Sequence, residues 1–310
     1  MIKRTMKNFI NAFLSIFDVI LLRKSSIENP QSNDFRDYQF ERLKYDLNET
    51  ISDLSRQNKV EIIKAQIQNR WSLNDSISAS SNIENHIHCP LCDANLEKKL
   101  ISKFEAHCIF GGGRLVRYQC ADCDLIFGPE KILKMSDAQL SDEYSLHYSV
   151  YSEGDSTEQE IRAFHALNPS KNGIYLNFGA GAWSKSVKIL RDEGWNVYGY
   201  EPYSQNASEF IITDEKVLES MKFDGIFSNN VLEHFNHPVE EMRKISGYLK
   251  DDGQMSHATP CFEYLYEYTR FHLFFFLGKS SNILAEKAGL EVIEYIKDKE
   301  FMCLVLKEKK

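Results

Sequence analysis

Several features that would assign a protein class at once are scarce or missing in this sequence. Basic residues are not in excess: the 310 residues include 37 Lys and Arg against 45 Asp and Glu, a formal net charge of -8. That balance disfavours a general binder of nucleic-acid phosphates, so we expect no nucleic-acid partner. No uninterrupted apolar run reaches the roughly 18–20 residues of a membrane-spanning helix, and no internal repeat is found. The hydrophobic content of 43% is enough for one substantial core and a smaller module.

The stretch nearest to a membrane-binding sequence is residues 1–24, which have basic ends and an apolar middle. No small-residue cleavage site follows, so a secretory signal is disfavoured. Asn11, Ser15 and Asp18 fall on one helical stripe while apolar side chains cover the remaining surface, which predicts an amphipathic helix. Two interpretations are open: peripheral contact with the inner face of a membrane, or packing on protein, either on this chain or on a second subunit.

A second helical segment is predicted over residues 33–72. Apolar residues follow 3-and-4 spacing from Phe40 to Leu54 and resume at Val60 after a phase skip. A short coiled coil fits this pattern, and it would make the chain a homo-oligomer. The following stretch, 72–82, is rich in Ser and Asn and is predicted to be a linker.

Cysteine usage indicates a metal rather than disulfides. Seven cysteines, an odd number, include two Cys-x-x-Cys pairs, a pattern that suits a reducing, cytoplasmic compartment. Four thiolates on two tight turns make a closed tetrahedral site, so we predict a structural zinc ribbon over residues 85–130. A redox role of one pair and ligation by a nearby His or by Cys108 are the alternatives. The predicted ligands are Cys89, Cys92, Cys120 and Cys123.

From about residue 145 to residue 310, strand and helix patterns alternate. This predicts an α/β fold with a doubly wound, mainly parallel sheet. The last two strand patterns, 290–296 and 300–307, lie too close together for a helical crossover. They are therefore expected to form an antiparallel hairpin at the sheet edge.

The glycine-rich turn in "IYLNFGAGAWSKSV", residues 174–187, separates a strand from a helix. Gly179 and Gly181 allow the backbone to approach a ligand closely. A phosphate-binding P-loop is excluded because no Gly-Lys-Ser/Thr follows, and Ser184 replaces the third glycine of a dinucleotide site. Glu201 closes the next strand, where an acid suits the two hydroxyls of a ribose. An adenosine ligand without phosphates fits best; a tight turn with no ligand is the alternative.

Five motifs in order make residues 151–310 resemble class I S-adenosylmethionine (SAM)-dependent methyltransferases: "LNFGAGAWSKSV", "VYGYEP", "FDGIFSNNVLEHFNHP", "GYLKDDGQMSHATP" and "FHLFFFLGKSSNILAEKAGLEV". The resemblance implies a Rossmann-like methyltransferase sheet. It also implies that SAM lies on the glycine turn, with its ribose held by the acid and its sulfonium flanked by two asparagines. Two departures stand out: Asn177 replaces an acid that is common in the family, and Trp183 replaces a small residue. The implied SAM-binding residues are Asn177, Gly179, Gly181, Glu201, Asp214, Asn229 and Asn230.

The zinc ribbon and the Y-x-x-x-Y connector that precede this domain make the chain similar to bacterial sugar methyltransferases of polysaccharide and deoxysugar pathways. This second resemblance implies a sugar or glycan acceptor and a connector that closes over SAM, which adds Tyr148 and Tyr151 as candidate pocket residues. The alternative is that these tyrosines only pack between domains. A sugar hydroxyl benefits from a general base. We predict His272 as that base and His234 as a second polar group, although each has the alternative of being a hydrogen-bonded residue near a turn.

The function predicted from the sequence is therefore SAM-dependent O-methylation of a sugar in surface-polysaccharide biosynthesis. C-methylation of a keto-deoxysugar nucleotide is the nearest alternative. A catalytically degenerate scaffold is the alternative from a different class of protein.

Overall fold

A computed structural model of the protein describes residues 33–81, 85–111, 113–151, 154–181, 184–202, 209–263 and 269–310. The chain divides into two compact units, Met1–Gln66 and Ile67–Lys310. Among the described residues, no helix has both the length and the apolar character to cross a bilayer. The amphipathic helix predicted over residues 1–24 lies outside the described residues, as does Trp183.

Helix α1 spans Asn33–Ser81 and continues through the stretch that the sequence predicts to be a linker. The linker prediction is wrong because the last turns of α1 make specific tertiary contacts. Trp71 is only 1% exposed and lies under the Arg270 guanidinium, 4.3 Å from the ring centroid. Asp75 accepts a hydrogen bond of 2.8 Å from the backbone amide of Arg114. These contacts stabilise a helical conformation that serine-rich local propensity does not favour.

The cysteine module is built from two small antiparallel sheets. The first is a two-stranded hairpin, and the second is a three-stranded meander that gains a fourth strand from far along the chain. The hairpin strands are β1 (His86–His88) and β2 (Asn95–Glu97). The meander strands are β3 (Lys103–His107), β4 (Arg114–Gln119) and β5 (Ile126–Phe127), and the added strand is β11 (Phe274–Phe275).

Three helices connect this module to the large sheet: α2 (Glu130–Leu133), α3 (Asp137–Tyr148) and α4 (Thr157–Ala166). Helix α3 begins at a capping box, in which Ser136 and Gln139 satisfy each other's backbone amides. Helix α4 packs its buried Phe164 against Phe227 of the sheet, with ring centroids 5.5 Å apart. The first residues of α4 are thereby held close to the sheet, a placement that matters for the site below.

The large sheet has seven strands in the order β12-β13-β10-β9-β6-β7-β8. The pairs among β10, β9, β6, β7 and β8 are parallel, whereas β13 runs antiparallel to both β10 and β12. The predicted doubly wound sheet with an edge hairpin is confirmed. Its strands are β6 (Ile174–Phe178), β7 (Asn196–Tyr200), β8 (Ile211–Ile212), β9 (Phe223–Asn229), β10 (Leu249–Ala258), β12 (Leu290–Asp298) and β13 (Phe301–Glu308). Its helices are α5 (Lys185–Asp192), α6 (Glu215–Glu219), α7 (Pro238–Ser246) and α8 (Ser280–Lys287).

The strand order reverses between β6 and β9, since the chain continues from β6 to β7 on one side and later returns to β9 on the other. In open α/β sheets, ligands bind outside the carboxyl ends of the strands at such a switch point. The segments that leave β6, β7, β9 and β10 at this edge therefore form the candidate site.

Candidate active site

The glycine turn after β6 has the geometry that its sequence predicts. Gly179 and Gly181 have φ values of +75° and +68°, a region that favours glycine. A Cβ at Gly179 would lie 2.6 Å from Cγ2 of Val231, whereas one at Gly181 would meet no described atom within 4 Å. The backbone amides of Gly179 and Ala180 both donate to the Tyr200 carbonyl at 3.0 Å. The backbone of the turn is thus held against the end of β7 by these two hydrogen bonds.

Glu201 directly follows β7 and points at the glycine turn. Its Oε2 accepts a hydrogen bond of 3.1 Å from the Gly181 amide. The carboxylate therefore lies inside the crevice between the ends of β6 and β7. This is the position in which an acid can accept hydrogen bonds from the hydroxyls of a ribose.

Asn177, the penultimate residue of β6, is fully buried and in contact with an acid from another element. Its Nδ2 donates to Oε2 of Glu160 at 2.7 Å and to Oγ of Ser186 at 3.2 Å. Ser186 also donates to Glu160 Oε2, and Ser156 donates to Oε1 at 2.6 Å. Oδ1 of Asn177 is buried without a hydrogen-bond partner among the described groups. Helix α4 thus places a carboxylate beside the strand position where the sequence has an amide.

Sequence reasoning missed Glu160 because "STEQEIRAF" carries no motif. The only available signal was the absence of an acid at position 177, which says nothing about where a substitute lies.

The remaining residues predicted to bind SAM lie at the same sheet edge. Asn229 ends β9, and its Nδ2 is a buried atom without a partner in the described chain. Asn230 has a φ of +55°, and its amide donates to the Ala258 carbonyl at 2.9 Å. Asp214 follows β8 and caps α6 by accepting from the Lys216 amide at 2.9 Å. The described structure brings these side chains to the edge but does not test their roles.

Tyr151 lies in an aromatic cluster beside the cysteine module. Its hydroxyl donates to the Phe110 carbonyl at 3.1 Å, and its ring lies 4.7 Å from those of Phe110 and His147. Burial lowers the pKa of His147 to about 4, so this imidazole is neutral at pH 7. The role of Tyr151 in a SAM pocket remains a prediction.

The two histidines predicted for catalysis are neighbours in space. His234 lies in a single 3-10 turn after β9, and its ring centroid is 5.0 Å from that of His272, which precedes β11. Nδ1 of His234 lies 2.8 Å from the Tyr144 hydroxyl. Burial, assisted by His234 and Arg117, lowers the pKa of His272 well below its usual value. Both rings thus come to one point at the carboxyl end of β9.

Arg117 of the cysteine module holds the loop that carries His272. It is 1% exposed, and its Nη2 and Nε donate to the His272 carbonyl at 2.8 and 3.1 Å. Nη2 also donates to the Thr269 carbonyl, and the guanidinium lies 5.3 Å from the centroid of the Phe275 ring. Pairing of β5 with β11 adds backbone hydrogen bonds between the same two segments. The module and the histidine loop therefore share one small sheet, which the sequence did not predict.

The four predicted metal-ligating cysteines meet in one cluster. Their sulfurs all lie within 4.8 Å of one another, with Cys89 and Cys123 at 3.6 Å and Cys92 and Cys120 at 3.5 Å. Sulfurs around a tetrahedral zinc lie about 3.8 Å apart, given bonds of about 2.3 Å. The cluster therefore fits a single ion.

The two halves of the cluster have the same backbone turn. Asp93 donates its amide to the Cys89 carbonyl at 2.9 Å and has a φ of +64°. Asp124 repeats this with the Cys120 carbonyl at 2.9 Å and a φ of +65°. Each turn aims a cysteine pair inward, so the arrangement could hold a metal. Cys261 and Cys303 lie outside this cluster and are both fully buried.

Comparison with known proteins agrees with this site. Residues 156–295 match a family described as a methyltransferase domain, which spans the glycine turn, the acid after β7 and both histidines. No curated protein sequence gave a match.

Several solved methyltransferase structures are similar to part of the chain. One is CalO1, a methyltransferase in calicheamicin biosynthesis with S-adenosylhomocysteine bound: it is 11% identical, with 56% of this chain and 59% of that chain covered and a TM-score of 0.40. The mitomycin 7-O-methyltransferase MmcR is 12% identical over 56% of this chain and 59% of its own, with a TM-score of 0.40. The 1,6-didemethyltoxoflavin-N1-methyltransferase of Burkholderia thailandensis is 12% identical. The match covers 62% of this chain and 99% of that chain, with a TM-score of 0.45. The chain thus matches little more than half the length of the first two.

Proposed function

We propose that the protein is a SAM-dependent methyltransferase that transfers a methyl group to a sugar hydroxyl during the synthesis of a surface polysaccharide. The observation that carries the proposal is the shared sheet edge. The glycine turn, the acid beside it and His234 follow the carboxyl ends of β6, β7 and β9, and His272, from the segment between β10 and β11, lies next to His234. A methyl donor and an acceptor oxygen need this kind of proximity.

The donor half of the site has a group for each part of SAM. The bare backbone at Gly181 admits the ligand, Gly179 lets the turn pack closely against Val231, and Glu201 accepts from the ribose hydroxyls. Glu160 offers acceptors to the ammonium of the methionine portion, and so does Oδ1 of Asn177, which has no hydrogen-bond partner among the described residues. Glu160 thus supplies the counter-charge that Asn177 cannot. When bound, SAM supplies a methyl group that its sulfonium already activates.

The acceptor half has two imidazoles and an aromatic wall. Tyr144 stacks on the buried Phe271 with centroids 4.5 Å apart and on Tyr148 at 6.0 Å, so the exposed ring of Tyr148 is the one that offers an apolar face to a sugar ring. His272 and His234 lie next to this wall. In the sequence-based hypothesis, His272 accepts the hydroxyl proton while the oxygen bonds to the methyl carbon and sulfur keeps the electron pair of the broken bond.

The cysteine cluster is proposed to bind a structural zinc ion, since four thiolates leave no open position for substrate. Through Arg117 and the β5–β11 pairing, this zinc would also fix the loop that carries His272. Replacing Cys92 with Ser should release zinc and lower kcat while SAM binding persists, because the glycine turn lies outside the cysteine module. Metal analysis and calorimetry with SAM on the same preparation measure both quantities.

The experiment that tests the function is transfer of a labelled methyl group from SAM to nucleotide sugars and glycan precursors. A Glu201→Ala variant serves as the control for donor binding. Loss of an exchangeable carbon-bound proton during the reaction would assign C-methylation of a keto-deoxysugar instead. Absence of SAM binding by calorimetry would support the scaffold hypothesis and contradict the enzyme.

Cytoplasmic location, contact of residues 1–24 with a membrane and oligomerisation through residues 33–72 stay proposals. On α1, Ile51 and Ile62 are 54% and 58% exposed, which favours a helical partner for this face. Sedimentation of the full chain beside an Ile51→Glu variant tests the oligomer, since a charge at an interface should dissociate it.

A further inference from the structure

A second group of side chains in this structure has the composition of a metal site. Glu233, His234 and His272 each offer one ligand atom, and these atoms all lie within 4.8 Å of one another. Two imidazoles and one carboxylate form a nitrogen–oxygen set that suits divalent transition metals and leaves coordination positions open. The four-cysteine cluster, in contrast, offers only soft sulfur ligands and is closed.

Each of the three side chains has a neighbour in contact with one of its polar atoms. Thr259 Oγ1 donates to Oε1 of Glu233 at 2.7 Å. The Tyr144 hydroxyl lies 2.8 Å from Nδ1 of His234. Nδ1 of His272 lies 3.7 Å from the sulfur of Cys261. Metal-binding histidines typically engage their second ring nitrogen in this way, which leaves Nε2 for the metal.

The cluster combines one anionic ligand with two imidazoles. Glu233 is 0% exposed and supplies the carboxylate, while the Arg117 guanidinium lies nearby and donates to the His272 carbonyl. One carboxylate and two imidazoles together are a ligand set that a divalent ion can use. The site lies where the aromatic wall meets the end of β9, on the acceptor side of the crevice.

We propose that Glu233, His234 and His272 bind a divalent transition-metal ion that holds the acceptor oxygen. This inference rests on the proposed function and specifies how the same site activates its acceptor. The ion coordinates the sugar hydroxyl and lowers its pKa, and the hydroxyl proton leaves to solvent. The resulting oxygen attacks the methyl carbon, and sulfur retains the electron pair of the broken bond. His272 is then a metal ligand rather than the base.

Manganese binding tests the site without requiring turnover. The full-length protein, with zinc in the cysteine cluster, is titrated with Mn²⁺, and the free ion is followed by electron paramagnetic resonance. We expect one tight Mn²⁺ per chain, and at least 10-fold weaker binding in His234→Ala, His272→Ala and Glu233→Gln. His237→Ala is the matched control, since His237 is exposed and lies outside the cluster. Thermal unfolding of each variant identifies any that fail to fold.

Two results would overturn the inference: no Mn²⁺ bound by the zinc-loaded protein, or equal binding by folded His234→Ala and wild type. Methyl transfer that persists without Mn²⁺ and is unchanged by adding it would also overturn the inference, while leaving the proposed function intact. Mn²⁺ binding that His234→Ala abolishes, in a protein that transfers no methyl group, would support the metal site and contradict the proposed function.

Discussion

Replacing Glu160 with Gln removes one negative charge from the donor half of the site and changes little else. The carboxylate accepts hydrogen bonds from Asn177, Ser186 and Ser156. A glutamine oxygen can still accept from two of these donors, so the fold around α4 should persist. The lost charge, however, is the one that we assign to the ammonium of the methionine portion of SAM.

The expected effect follows from the strength of a charged hydrogen bond. Such a bond contributes about 1.5–3 kcal/mol when its partner is charged. Each 1.4 kcal/mol corresponds to a factor of ten, so the affinity for S-adenosylhomocysteine should fall about 10- to 100-fold. Glu160 is half-buried, which keeps water from screening the interaction fully.

Isothermal calorimetry with two ligands separates this effect from a general disturbance. S-adenosylhomocysteine carries the ammonium, whereas 5′-methylthioadenosine has the same adenosine and sulfur but no amino acid. Glu160→Gln should lower the affinity for S-adenosylhomocysteine and leave the affinity for 5′-methylthioadenosine unchanged. An equal loss of affinity for both ligands would show that Glu160 is only a structural group. Unchanged affinity for both would refute the assignment of Glu160 to the ammonium of the methionine portion. Ser156→Ala is the control, because it removes a hydrogen bond to Glu160 without removing the charge.

Three further changes should have distinct effects. Gly179→Ala should abolish SAM binding, measured by calorimetry, because a Cβ would lie 2.6 Å from Val231 at a φ of +75°; retained affinity would contradict this geometry. Glu201→Ala should weaken S-adenosylhomocysteine and 5′-methylthioadenosine alike, by about 10-fold or more, since both carry the ribose; a loss confined to one ligand would move Glu201 away from the ribose. Arg117→Met should lower kcat with little change in SAM affinity because it releases the loop of His272; steady-state kinetics beside calorimetry measure the split, and a loss of SAM affinity alone would argue against a positioning role.

Local sequence patterns predicted most of the large domain because its rules act over short distances. A pattern of about ten residues is enough to predict each of three elements: the strand before the glycine turn, the amphipathic helix after it and the closing hairpin. The turn itself is equally local, since the positive φ values at Gly179 and Gly181 arise from glycine's lack of a Cβ. The two Cys-x-x-Cys pairs predicted a four-sulfur cluster because each pair forms its own turn.

The linker prediction for residues 72–82 failed for the complementary reason. Serine and asparagine have a weak local preference for helix, but α1 continues because Trp71 is buried and Asp75 is hydrogen-bonded to a distant strand. Such contacts have no signature in the ten residues around them.

The sequence by itself determined the order of the strands and helices along the chain, the positive φ values of the glycine turn and the two Cys-x-x-Cys turns, since these depend on neighbours along the chain. Only the tertiary structure decided that Glu160 stands beside Asn177, that Arg117 and β5 hold the loop of His272, and that Glu233 joins the two histidines. The physical reason is that these contacts join segments distant along the chain. Packing against the sheet brings those segments together, and no spacing in the sequence encodes their approach.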